Sequence, residues 1–256
     1  MPPRLAIATV LTGLLAMPPV TARILFKANF ETGDLSEWAA TGTRGQNATP
    51  RNIQVVSDIV QQGKYAAKFT IHEDDVFNAQ QLRVQVGGPK VTVEEGSDTY
   101  LSFGLYMADA PQDRDNFFYW EGTPPPRWNN VMTWWLEPKP SGGAQIAYGT
   151  GNLGRNGTEW TADFALRQWH RLAMHIHWSE DKDRGHVRLW FDGQLVLDRN
   201  LKTKGAESVY FCQPGIHRSP HRPSVDSIYF DNFILADTLE EVLGASPKAA
   251  GKTTPE

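Results

Sequence analysis

From Ala22 onward the chain alternates between apolar and polar positions. Ala67, Phe69 and Ile71 are separated by Lys68 and Thr70, with His72 following. Leu82, Val84 and Val86 alternate with Gln81, Arg83 and Gln85. Leu101, Phe103 and Leu105 alternate with Ser102, Gly104 and Tyr106, and Leu172, Met174 and Ile176 alternate with Arg171, His175 and His177. A period of two turns successive side chains to opposite faces of an extended strand, so each run predicts a strand with one buried face. Further strands are expected over 130–136, 144–148, 187–191, 208–212 and 227–235. Turn signals separate them, among them Gly87-Gly88-Pro89, Glu95-Gly96 and Pro140-Ser141-Gly142-Gly143. Asp192-Gly193, between two apolar alternations, predicts a tight two-residue hairpin. A helical period is found only near Leu239–Leu243. About ten short strands of this kind predict an all-β chain of two antiparallel sheets packed face to face.

The ends depart from the pattern. Met1 to Arg4 is a short basic start, Leu5 to Met17 is apolar and uncharged, and Val20-Thr21-Ala22 has the small residues of a cleavage site. Residues 1–22 are therefore expected to be a signal peptide, and the protein secreted or periplasmic. A short buried helix is the alternative, but Pro18-Pro19 would end it. The apolar run is short for a membrane span and no second one follows. Residues 23–244 are expected to form one domain, and the polar tail 245–256 to be disordered.

Composition narrows the partners. A net charge of −4 argues against a nucleic-acid binder. The single Cys212 can form no internal disulfide, so a packed core must hold the fold, which is expected to be monomeric. Nine tryptophans are present. Trp178 and Trp190 sit at apolar positions of strands, whereas Trp120, Trp128, Trp134, Trp135 and Trp169 stand in polar or strand-face contexts. Sugar rings stack their C–H faces on such rings, with fixed polar groups beside the stack to hold hydroxyls and carboxylates. A carbohydrate-binding face is expected, with core filling the alternative for any one tryptophan.

Four stretches carry a family resemblance: Phe30 to Trp38; Gln168-Trp169-His170 through Asp192-Gly193; Tyr210 to Arg218; and Tyr229 to Phe233. In order and spacing they resemble polysaccharide lyases of the heparin lyase I, glucuronan lyase and alginate lyase type. The resemblance implies a concanavalin A-like β-jelly roll that cleaves an acidic polysaccharide by β-elimination. That chemistry needs a group to neutralise the uronate carboxylate, a base for the neighbouring carbon's proton, and an acid for the leaving oxygen.

By resemblance, Arg83 is the carboxylate-binding arginine, with Gln85 on the same face to hydrogen-bond the same group. Tyr148 is the expected acid. His72 and His217 are the expected bases, His217 standing where the family has a tyrosine. Trp134, Tyr210 and Arg218 are expected to contact substrate. Calcium is expected as a structural ion on Glu31, Asp34 and Asp231, with ordinary turn carboxylates as the alternative. The family's central glutamine and histidine are absent from Thr133-Trp134-Trp135-Leu136. A non-catalytic lectin-like protein and a glycoside hydrolase with two facing carboxylates therefore stand as rival readings.

Overall fold

Each alternating run forms a strand and turns its apolar side to a common interior. The computed structural model describes residues 23–43, 45–78, 81–123, 130–151, 157–219 and 224–244. The expected leader and tail lie outside them, as does Trp128. In chain order the strands are β1 (Ile24–Ala28), β2 (Ile53–Val56), β3 (Ala66–Ile71), β4 (Val76–Asn78), β5 (Gln81–Gln85), β6 (Lys90–Thr92), β7 (Asp98–Tyr106), β8 (Asp115–Thr123) and β9 (Asn130–Pro138). They continue with β10 (Ala144–Thr150), β11 (Gly157–Phe164), β12 (Trp169–His177), β13 (His186–Phe191), β14 (Gln194–Asn200), β15 (Val209–Cys212), β16 (Gly215–Arg218) and β17 (Asp226–Ala236). Two single-turn helices, α1 (Ser36–Ala39) and α2 (Leu239–Leu243), complete the set, the second where the helical period fell.

The described strands form two antiparallel sheets. One runs β14-β13-β12-β7-β17-β3-β2, with β1 also paired to β17. The other runs β11-β10-β9-β8-β16-β5-β4, with β15 joining β8 to β6. Aromatic rings fill the space between. Phe103 of the first sheet stacks on Phe118 of the second at 5.2 Å, and Phe69 meets Phe230 edge-on at the same distance. Burying one such ring contributes roughly 1.5–3 kcal/mol. Trp120 belongs to this core rather than to a sugar-binding face: it is fully buried, edge-on to Trp178. Cys212 is fully buried as well, and burial pushes its thiol well up, so it is inert.

The expected hairpin joins β13 to β14. Asp192 and Gly193 both have positive φ, 50° and 79°, as a two-residue turn matching the strand twist requires. The Asp192 carboxylate also reaches His170 Nδ1 at 2.7 Å, fixing the turn against β12.

β8 was not foreseen from the alternation, and it matters most for the site. Its register with β9 shifts twice, between Asn116 and Phe118 and between Trp120 and Glu121. The first leaves Phe117 as an extra residue in β8 and breaks its period of two; the second leaves Val131 extra in β9. Phe117, Phe118 and Trp120 all join the core, while Tyr119 and Glu121 face the other way.

Candidate active site

Leu82 and Val84 of β5 are in the core, so Gln81, Arg83 and Gln85 line the outer face of the nine-stranded sheet. Cross-strand register extends the row. Arg83 stands opposite His217 of β16, and His217 stands opposite Asn116 of β8. Directly opposed residues share a face, with β-carbons about 5 Å apart.

Arg83 is held from two sides. Its guanidinium carbon lies 4.2 Å from the Phe77 ring centre and 5.9 Å from that of Tyr119. One terminal nitrogen donates to Gln81 Oε1 at 2.7 Å, and Nε is buried with no hydrogen-bond partner. The Tyr119 hydroxyl lies 2.9 Å from Gln85 Oε1 and also contacts Gln213 Oε1. A phenol has one proton and can donate to only one amide oxygen, so one of the two amides must turn its NH2 toward it. Gln85 Nε2 is buried and unpartnered.

The electrostatics follow from burial around one arginine. His217 is 7% exposed, and burial together with the Arg83 charge drops it to about 3. It is therefore a neutral imidazole, and its Nδ1 is buried without a partner. Burial pushes the Tyr119 phenol up despite Arg83, so it holds its proton. Glu121, two residues along β8 and opposite Phe211, is raised to about 7 because burial outweighs the pull of Arg83. The face thus gathers a fixed cation, a neutral proton acceptor, a neutral proton donor and unmet N–H groups.

The structure brings together Arg83, Gln85 and His217 as expected. It does not bring Tyr148 there. Tyr148 is fully buried in the core with its ring 5.1 Å from Trp134, itself a core residue. Tyr148 is expected on the polar side of its strand, but it shares a face with Ile146 and both point inward. Tyr210 is likewise a core ring, against Trp178 at 4.8 Å, with its hydroxyl on Gly205 and Glu207. Arg218 is fully buried and ion-paired to Asp115 and Asp226, each at 2.9 Å, so it has no face to offer a substrate. His72 ends β3 in the other sheet, its ring 3.2 Å from Asp75 and 3.4 Å from Asn52. His175 and His177 share Asp98 on the outer face of the eight-stranded sheet.

The three expected calcium ligands are not assembled. Asp34 caps its own turn through Ser36 N and Thr32 Oγ1. Glu31 accepts from the Lys64 and Tyr65 amides, and Asp231 from those of Gln61, Gln62 and Asn232. Among the described residues no group of three or more His, Cys, Asp or Glu could hold a metal. These carboxylates tie loops to strands.

Tyr119, Glu121 and Gln213 were missed from sequence. The Phe117-Phe118-Tyr119-Trp120 run has no alternation to say which ring faces out.

Comparison with known proteins agrees with the fold. A family model described as polysaccharide lyase matches residues 30–234. Among solved structures, an endo-β-1,4-glucuronan lyase from the fungus Trichoderma reesei superposes with a TM-score of 0.64 at 18% identity, covering 86% of this chain and 98% of that one. An alginate lyase variant in complex with an alginate trisaccharide gives 0.56 at 12% identity, covering 83% and 98%. The catalytic domain of a glycoside hydrolase family 131 protein from Coprinopsis cinerea gives 0.57 at 14%, covering 83% and 94%. No curated protein matches the sequence. At these identities the structures establish the β-jelly roll alone.

Proposed function

The chain belongs to the polysaccharide lyase family, and from that premise we propose that it cleaves a uronate-containing, acidic polysaccharide by β-elimination. The observation that carries the substrate class is Arg83 in register with a neutral His217, beside the Tyr119 phenol and the unmet Gln85 amide. Arg83 and Gln85 donate to the uronate carboxylate and lower the cost of charge developing on it. His217 takes the proton from the ring carbon bearing that carboxylate. The bond from the adjacent carbon to the glycosidic oxygen breaks, a carbon–carbon double bond forms, and Tyr119 gives its proton to the departing oxygen. Burial and the Arg83 charge both depress His217, and an incoming carboxylate offsets the second of these.

The site of action proposed is outside the cytoplasm, supported by the uncharged Leu5–Met17 run and Val20-Thr21-Ala22. The N-terminal residue of protein recovered from the producing cell's medium or periplasm checks this. For the reaction, the purified protein is mixed with glucuronan, alginate and heparin-like chains, and with a neutral β-glucan. Ultraviolet absorbance of an unsaturated uronate should rise with at least one polyuronate and not with the glucan. A flat trace across the polyuronates, or cleavage of the glucan, removes the acidic substrate.

A further inference from the structure

We propose that Trp135 and Arg114 form a second subsite on the same outer face, one that takes a further acidic sugar of the same chain; the proposal rests on the polyuronate reading above. The row of opposed residues does not stop at Asn116. It continues to Trp135 of β9 and then to Ala147 of β10. His217 and Trp135 are two strands apart, a span of about 10 Å across the sheet. A polymer lying across the strands at Arg83 is therefore carried over Asn116 toward Trp135.

A cavity of about 340 Å³ opens there, lined by Arg114, Thr133, Trp135, Gly149 and Thr158 among others. Arg114 sits over the indole, its guanidinium carbon 3.7 Å from the ring centre. Its Nε is 3.4 Å from Asn116 Oδ1. Stacking fixes the plane of the guanidinium while leaving its edge to pair with a carboxylate, so little freedom is lost on binding. Trp135 is 4% exposed, and its indole N–H is buried with no acceptor. An unmet buried donor is costly, and a sugar hydroxyl or carboxylate oxygen would satisfy it. Gly149 keeps the wall open: a β-carbon there would sit 3.0 Å from Trp135 Cη2 and 2.3 Å from the Gly157 carbonyl. These features are separate from the Arg83 cluster and are not used by the elimination chemistry.

The test uses the full chain carrying Arg83→Ala, which stops turnover, and titrates it calorimetrically with an oligouronate of a chain the wild-type protein cleaves. The same oligosaccharide with its carboxylates reduced to alcohols is the control. Adding Arg114→Ala should weaken oligouronate binding about tenfold, the loss of one charge-assisted hydrogen bond, and leave the reduced oligosaccharide unaffected. Trp135→Phe, which keeps an aromatic ring, should weaken binding of both. In the turnover-competent protein, Arg114→Ala should raise KM more than it lowers kcat. Equal oligouronate affinity with and without Arg114 overturns the subsite while the substrate class stands. An equal loss for the reduced oligosaccharide overturns its preference for acid. If the wild-type protein forms no unsaturated product from any polyuronate, the substrate class fails first and the acidic subsite falls with it.

Discussion

Two buried groups on the proposed site titrate in opposite senses, and their effects on stability should cancel over part of the pH scale. His217 falls from 6.5 to about 3. Between those values the unfolded chain binds a proton that the folded one refuses. Its contribution to stability is complete above pH 6.5 and is lost as the pH falls toward 3. Glu121 rises from 4.5 to about 7. There the folded chain holds the extra proton, so the contribution is complete below pH 4.5 and is lost as the pH rises through 7. At about 1.4 kcal/mol per pH unit, the full swings are about 5 kcal/mol for His217 and about 3 kcal/mol for Glu121. Between pH 4.5 and 6.5 the two slopes oppose each other and the pair leaves stability level. Removing one partner uncovers the other. Moving from pH 6.5 to 4.5, the His217→Asn variant should gain about 3 kcal/mol relative to wild type, and Glu121→Gln should lose about as much. Urea unfolding of all three proteins at several pH values measures this. Taking variant-minus-wild-type differences cancels the other titrating carboxylates, Asp115 and Asp231 included. A level difference curve for His217→Asn would refute the reasoning, because His217 would then be a solvated imidazole and not a neutral acceptor waiting in the site.

Three further outcomes separate the residues that react from those that only hold the fold. Arg218→Met leaves Asp115 and Asp226 buried without their cation; it should cost about 3–5 kcal/mol, lowering Tm by roughly 2–4 °C per kcal/mol, with KM unchanged below the new transition. A raised KM at unchanged Tm would return Arg218 to the substrate. Tyr148→Phe removes a buried hydroxyl that has no hydrogen-bond partner, so stability should hold or rise by up to about 1–3 kcal/mol and activity should not change; a large fall in kcat would revive it as the acid. Tyr119→Phe should lower kcat by about 100-fold or more and, by leaving the buried Gln85 and Gln213 amides without the hydroxyl, cost about 1–3 kcal/mol of stability; an undiminished kcat below the new transition would pass the proton donor's role to Glu121.

The two-sheet fold was readable because most strands of this sandwich bury one face, and burial of one face writes period two into the chain. β3, β5, β7, β12 and β13 carry that signal plainly, and Asp192-Gly193 carries the backbone demand of its turn. Arg83, Gln85 and His217 were readable for the same reason, since each alternates with a core residue. Tyr119 and Glu121 were not. They lie on a strand whose bulge at Phe117 resets the alternation, and the shift appears only once β8 is laid against β9. Tyr148 failed in the opposite direction. Its hydroxyl marked it as polar, yet its ring is what the core takes, and alternation from Ile146 pointed inward all along. Arg218 is the same kind of case: opposite Leu82 it faces the interior, and two carboxylates, Asp115 from a strand far back in the chain and Asp226 from the next strand, make that bearable.

Strand β17 is the last to be made and sits in the interior of its sheet. Phe230 pairs with both Ala67 of β3 and Leu105 of β7, and Phe233 pairs with Ala28 of β1. None of these three strands has its full set of neighbours until the chain has been synthesised past residue 236. Contacts this distant along the chain are slow to form, because the loop they close must be ordered before any pairing rewards it. A growing chain therefore carries the inner edges of β3 and β7 unpaired for nearly its whole synthesis, and a chain stopped short of β17 keeps them unpaired for good. Loss of the sequence from Asp226 onward should produce aggregation rather than a smaller folded protein.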